Sequence, residues 1–321
     1  MFDVGFDRDR FVLERRGARP AHDPWRHQGI IVEDERTADG GRARTATVLI
    51  TGRECPWRCV MCDLWQYTTV TDTPVGAIAA QVAAARSALR AERVPVTAMK
   101  LYNAGSFFDA RAVPEDDYDG VAAAVAGLSR VIVESHPTLI LRGGRRLDRL
   151  LLALDHHGST AGVAALEVAM GLETAHPSAL DRLHKRFTLD QFARAASALA
   201  DRGVALRVFL LIAPPFVPAG EQDAWLQRSL DAAFACGASV VSLVPTRPGN
   251  GAMETLADAG WFRKPTLDDI ERSAAIALAH AAGRGRVFVD LWDIERFTDS
   301  SDCASARRDR LHAMNLEQRL G

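Results

Sequence analysis

Apolar, β-branched runs punctuate the chain at 47–50, 96–101, 130–133, 163–170, 205–212 and 239–244, with a weaker seventh at 286–291. Helical periodicity fills the gaps. Val75, Ile78, Val82, Ala85 and Leu89 recur at three- and four-residue steps and lay an apolar stripe on one face. Leu147, Leu150, Leu151 and Leu154 do the same, with Gly158 at a C-capping position. Thr188-Leu-Asp-Gln191 reads as a capping box opening a helix through Leu199 to Gly203, and Thr266-Leu-Asp-Asp269 opens another. Six βα units in series predict an α/β fold with a parallel sheet. Right-handed crossovers can roll such a sheet into a barrel or leave it open, and the pattern alone does not choose. Residues 1–43 are polar and arginine-rich and precede the first predicted strand, so they read as an N-terminal extension. The βα units occupy 44–285, and 286–321 form a C-terminal extension. No long linker or fixed-period repeat interrupts the series.

Composition narrows the class without naming a chemistry. A chain of 321 residues, 48% hydrophobic and 25% charged, is ordinary for a globular protein. No run approaches the ~18 apolar residues of a membrane span, and Met1-Phe-Asp-Val-Gly-Phe-Asp-Arg8 lacks a secretory apolar core. A cytoplasmic enzyme with no membrane partner is the expectation. The net charge of −2 gives no whole-molecule field for nucleic acid.

The chemistry enters with Cys55, Cys59 and Cys62, spaced C-x3-C-x2-C directly after the first strand. Three thiolates so close can hold three corners of a [4Fe–4S] cluster and leave the fourth iron open to a ligand. A structural zinc site would need four ligands, usually as two close pairs. No second pair exists: the other cysteines, Cys236 and Cys303, are far apart, and no histidine lies in the motif. Five cysteines without a secretory signal do not read as a disulfide framework.

The motif resembles the cysteine loop of the radical S-adenosylmethionine (SAM) enzymes. That resemblance implies a partial (β/α)6 TIM-like barrel, with the cysteine loop after the first strand at the C-terminal face, where barrel enzymes place their chemistry. It also implies a [4Fe–4S] cluster and SAM as cofactors, with SAM chelating the open iron and yielding a 5′-deoxyadenosyl radical on one-electron reduction. A flavodoxin or ferredoxin would be the electron donor. Met61 stands where an aromatic residue often stacks on adenine, and a thioether can pack on a purine face too.

Strand ends then become the places to look. The second runs into Tyr102-Asn-Ala-Gly-Ser106, which exposes backbone to a ligand. By resemblance Asn103, Gly105 and Ser106 face the amino end of SAM, although an ordinary βα turn has the same composition. The third ends in Val133-Glu-Ser-His-Pro137, where Glu134 can accept from a ribose diol or an amine, and His136 beside it could serve a substrate. The fourth carries Glu167 and Glu173 around Gly171. Glu167 reads equally well as half of an internal salt bridge to an arginine such as Arg207. A cation should meet the SAM carboxylate, and Lys185, Arg186 and Arg207 are equal candidates on charge. The turn Val244-Pro-Thr-Arg-Pro-Gly-Asn-Gly251 after the sixth strand is suited to border adenosine or substrate, and lacks P-loop spacing.

Taken in order, Cys-x3-Cys-x2-Cys, Leu101-Tyr-Asn-Ala-Gly-Ser-Phe-Phe-Asp109, Val-Glu-Ser-His-Pro and Gly171-Leu-Glu-Thr174 resemble the branch containing the Elongator catalytic subunit. They are most similar to the archaeosine-synthase radical SAM subunit and its bacterial relatives. Asp290-Leu-Trp-Asp-Ile-Glu295 and Arg310-Leu-His-Ala-Met-Asn-Leu-Glu-Gln318 fit that group as well. This implies cleavage of a C–N bond on a tRNA base or nucleobase derivative, together with tRNA and a partner enzyme. No acetyltransferase domain follows the barrel, so no acetyl-CoA chemistry is expected, and Cys303 has too few companions for a second cluster. Arg142, Arg145, Arg146 and Arg149, and Arg307, Arg308 and Arg310, are the candidate RNA-binding stretches, but such runs are more often solvated faces. Two other readings stand beside this one: a radical SAM enzyme for a small metabolite, and a non-catalytic Fe–S or zinc scaffold.

Overall fold

The computed structural model describes residues 6–158, 162, 164–298 and 301–320, the last without the side chains of 301–304. Residues 1–5, the start of the run at 163 and the Cys303 side chain therefore lie outside the described residues. Eight strands form one sheet in sequence order: β1 (Gly29–Arg36), β2 (Arg42–Ile50), β3 (Ala98–Asn103), β4 (Arg130–Glu134), β5 (Ala165–Glu173), β6 (Ala205–Ile212), β7 (Ala238–Pro245) and β8 (Arg286–Val289). From β2 onward every pairing is parallel, and helices fill each crossover. This is the partial α/β barrel that the resemblance implied. Both capping boxes form, Thr188 with Gln191 and Thr266 with Asp269. The apolar stripe of the helix Ala77–Ala91 begins at Ile78, since Val75 precedes the helix and is exposed. No described helix is long and apolar enough to cross a membrane.

One strand lies where none was expected. Residues 1–43 do not all precede the sheet, because Gly29–Arg36 pairs antiparallel with β2 along its whole length. Its alternation is concealed by Glu33, Asp34, Glu35 and Arg36, which look like surface sequence. Glu35 turns inward instead and pairs with Lys100 of β3 at 2.6 Å, and Glu33, which stays exposed, meets the same Nζ at 2.6 Å.

Glu35 and Lys100 belong to a buried ionic lattice that fills the barrel floor. Arg207 of β6 binds Glu35 at 2.9 Å and Glu167 of β5 at 2.6 Å, and Arg130 of β4 takes the other oxygen of Glu167 at 2.7 Å. Side chains from five strands meet there, so they must cross the lumen. Arg130, Glu167 and Arg207 sit within the first three residues of their strands, which puts the lattice at the N-terminal end. Glu35 and Glu167 are held below the usual carboxylate range because the attraction of Arg207, with Lys100 or Arg130, outweighs their burial.

β1 and β8 bound the gap in the barrel. The Arg286 guanidinium donates to the Arg36 carbonyl across it at 2.7 Å. The helix Ser301–Glu317 packs against both strands and covers the free edge of β8 with two side-chain amides. Asn315 Oδ1 accepts from Val289 N–H at 2.8 Å and Nδ2 donates to Val289 O at 2.9 Å. Gln318 repeats the pattern on Val287 at 2.8 and 2.7 Å. Four backbone groups that would otherwise template another strand are thus satisfied.

Candidate functional site

β2 leads straight into the cysteine loop, and the chain is fixed before the first cysteine. Gln81, fully buried on the helix Ala77–Ala91, accepts from Thr51 N–H at 2.9 Å and donates to the carbonyls of Thr51 and Pro24 at 2.8 and 2.6 Å. The Glu54 carboxylate then gathers Arg16 at 2.7 Å, Arg58 at 2.8 Å and Arg19, tying the N-terminal segment to the loop. Val60 belongs to a second apolar cluster with Phe11, Val12, Leu183, Phe216 and Met253, and Met61 packs against the same cluster.

The loop sits at the C-terminal mouth beside the segment that follows β5. Val60 N–H donates to Leu183 O at 3.1 Å, and the Cys59 thiol points at His184 O at 3.9 Å. Trp57, inside the motif, stacks on His136 at 3.9 Å between ring centroids and 11° between planes. His136 in turn hydrogen-bonds through Nε2 to Lys185 O at 2.8 Å. Burial, aided by Lys185, pushes its imidazole down to about 3, so the ring is neutral.

Lys185 Nζ meets Glu173 Oε1 at 2.8 Å, both nearly buried. Gly171 makes the pair possible: a Cβ there would collide with the Glu173 carboxylate and lie 3.0 Å from Lys185 Nζ. Glu134 stands opposite with little compensation. Burial, then repulsion from Glu173, lifts its carboxyl to about 8 against one helpful hydrogen bond from the Asn103 backbone. Both polar atoms of the Asn103 side chain are buried without a hydrogen-bond partner, as is Tyr102 Oη below it. Gly105 is needed for close approach, since its Cβ would lie 2.8 Å from both Ala112 Cβ and Arg53 O.

Backbone strain collects at this end. Nine described non-glycine residues have positive φ, and six of them surround the mouth: Arg58, Glu173, His184, Arg186, Ala213 and Phe216. Such conformations persist only where the surroundings over-determine them, and they cluster at functional sites.

The three half-buried thiols lie close enough to repel one another. Burial and repulsion from Cys59 push Cys55 up to about 12, and burial with its two neighbouring cysteines raises Cys62. Burial raises Cys59 as well, while Lys185 acts the other way. Ionising the set therefore calls for positive charge among the sulfurs, which iron would bring. Among the described residues no three His, Cys, Asp or Glu side chains converge to hold a single metal ion. Three soft donors close enough to repel one another are the donor set of an iron–sulfur cluster.

Of the residues expected at the site, Asn103, Gly105, Glu134, Glu173 and Lys185 come together at the mouth. Ser106 comes too but is engaged, accepting from His136 N–H at 2.9 Å and bonding Ser135 Oγ at 3.1 Å. Arg207 does not join them; it is locked into the floor lattice, where Glu35, Glu167 and Ser242 take its donors. Arg186 turns outward to Asp9 at 2.6 Å. Lys185 is thus the cation at the mouth. Sequence reading missed Trp57, Gln81 and Asn250, whose partners lie 30 to 190 residues away and leave no local signal.

One consequence is measurable in the ligand-free protein. The folded carboxyl of Glu134 holds its proton to about 8 while the unfolded one releases it near the ordinary value, so stability falls as pH rises between the two. Glu134→Gln is expected to raise the unfolding free energy by about 1–3 kcal/mol at pH 7.5 and by little at pH 4.5. Urea unfolding at both pH values checks this, and an equal effect at both would contradict the raised carboxyl.

Comparisons with known proteins bear on the fold. Archaeosine synthase subunit beta of Methanosarcina acetivorans is 26% identical over 239 residues, covering 71% of this chain and 65% of that protein. An uncharacterised protein of Methanocaldococcus jannaschii is 25% identical over 177 residues, covering 53% and 45%. The chain therefore spans less than two thirds of the length of both relatives. Among solved structures, Methanocaldococcus infernus Elp3 lacking its N-terminus superposes with a TM-score of 0.55 at 12% identity, over 84% of this chain and 63% of that one. Methylornithine synthase gives 0.51 at 13%, over 84% and 69%. At such identities the structures establish the fold. No family model matches the chain.

Proposed function

We propose that this chain, related to the radical SAM branch of Elongator and archaeosine synthase, is an enzyme that cleaves SAM reductively at a [4Fe–4S] cluster to modify a tRNA base or nucleobase derivative. The observation that carries the reading is the Cys55–Cys62 loop, held at the barrel mouth beside a buried lysine and two carboxylates. Cys55, Cys59 and Cys62 would hold the cluster. With SAM bound, such a cluster would supply the one electron that breaks a sulfonium C–S bond of SAM into methionine and a 5′-deoxyadenosyl radical.

The chain's own groups bind and orient. Lys185, kept charged by Glu173, offers a cation to the SAM carboxylate. The unpartnered Asn103 amide and the backbone around Gly105 face the methionyl end, and Met61 is the candidate neighbour of adenine. Glu134 would accept from a ribose hydroxyl or an amine. Binding there offsets the cost of a buried carboxylate with one hydrogen bond.

The tRNA substrate and C–N bond cleavage are supported by the similarity to archaeosine synthase subunit beta, and a flavodoxin or ferredoxin would supply the electron. One observation favours a small metabolite instead. Most of the two arginine stretches is already engaged: Arg146 and Arg149 bind Glu115, while Arg307 and Arg310 hold Asp268 and Glu271. Arg142 and Arg145 stay exposed without an ion pair among the described residues.

Anaerobic reconstitution followed by dithionite and SAM tests the activity, with 5′-deoxyadenosine measured by mass spectrometry. Its formation supports the reading; a wild-type protein that takes up zinc and no cluster overturns it. Stimulation by tRNA, with binding that weakens steeply as salt rises, would select the tRNA substrate, and salt-independent stimulation by small molecules would select the metabolite.

A further inference from the structure

We propose that Asn250, in the turn after β7, is a positioning residue for the cysteine loop, setting Cys62 relative to Cys59; this rests on the cluster reading above. The Asn250 side chain is 4% exposed. Its Nδ2 donates to Val60 O at 2.7 Å and to Cys62 O at 3.2 Å, and its Oδ1 accepts from Met253 N–H at 2.8 Å. One amide thus joins the Cys59–Cys62 turn, itself closed by Cys62 N–H on Cys59 O at 3.1 Å, to the start of the helix Ala252–Asp258.

The turn that presents this amide is fixed independently. Glu254 accepts from Gly249 N–H at 2.6 Å and Gly251 N–H at 2.7 Å. Gly251 has φ +79° and lies so close to the Arg15 carbonyl that a Cβ would collide with it. Asn250 therefore projects from an anchored point rather than following the cysteine loop. On the far side of the loop, Trp57 rests on His136. The carbonyls of Val60 and Cys62 both accept from Asn250.

Residues that orient a metal ligand without touching the metal typically contribute 10–100-fold to its retention. Asn250→Asp keeps the shape but points a carboxylate oxygen at two carbonyls, and Asn250→Ser withdraws the donor without adding charge. After anaerobic reconstitution, both variants are expected to release iron to a chelator at least about tenfold faster than wild type, the range set by other outer-shell groups. The reduced cluster should also give a broadened electron paramagnetic resonance signal. Thermal unfolding of the apo proteins is the structural control, and Asn250→Ser is expected to stay within a few degrees of wild type. Wild-type release rates in Asn250→Ser overturn the positioning role, as does faster release matched by a collapse of the apo fold. A wild type that assembles no four-iron cluster overturns the cluster reading itself, a result distinguishable because it needs no variant.

Discussion

Cys59→Ala is expected to abolish SAM cleavage, with 5′-deoxyadenosine release falling by at least about 1,000-fold, equivalent to more than ~4 kcal/mol of lost barrier reduction. The same holds for Cys55→Ala and Cys62→Ala, because each thiolate would hold its own corner of the cluster. Iron and labile sulfide should drop with activity in all three variants. Cys236 provides the comparison. It closes the helix Gln222–Ala235, half-buried and away from the mouth, so Cys236→Ala is expected to keep both cluster and cleavage. Full iron content and cleavage in any one of the three loop variants would sink the assignment. The apo proteins should fold alike, since burial makes each thiol neutral and an alanine removes little more than a small side chain.

What could be read beforehand divides along physical lines. Parallel strands buried on both faces advertise themselves as β-branched runs, so β2 through β8 lay within a few residues of expectation. β1 was hidden because it carries Glu33, Asp34, Glu35 and Arg36 in a row, and a strand whose buried position is Glu35 reads as surface. The cysteine loop, Glu134 and Glu173 were legible as polar residues at strand ends, and Lys185 by its charge. Their couplings were not. Trp57 with His136, Gln81 with Thr51 and Asn250 with Val60 are contacts between distant segments, and periodicity has no term for them. The choice among Lys185, Arg186 and Arg207 also needed three dimensions. All three are cations, and only where each side chain ends up in the fold separates them.

Arg207 makes that separation testable. With its guanidinium removed, Glu35 keeps only Lys100 and Glu167 keeps only Arg130, leaving buried negative charge in excess. Arg207→Met is expected to cost about 3 kcal/mol of stability, the low end for breaking a buried ionic group because partners remain. The melting temperature should fall by roughly 5 °C. The pH dependence should change with it. In the wild type both carboxylates are held below their unfolded values, so their contribution is complete above the ordinary carboxylate range and is lost as pH falls through the folded values. In Arg207→Met that acid-side loss shrinks, because less attraction opposes protonation. Glu167→Gln added to Arg207→Met should recover part of the loss, since a neutral amide relieves the excess charge, and the double-mutant coupling should exceed about 1 kcal/mol. SAM affinity of the reconstituted protein, followed by the change SAM makes to the cluster signal, should stay unchanged in Arg207→Met and weaken in Lys185→Met. A destabilised Arg207→Met that still binds SAM fits a lattice in which charge crosses the lumen to close the barrel floor, whereas a stable one that has lost SAM would move Arg207 from the floor to the cofactor.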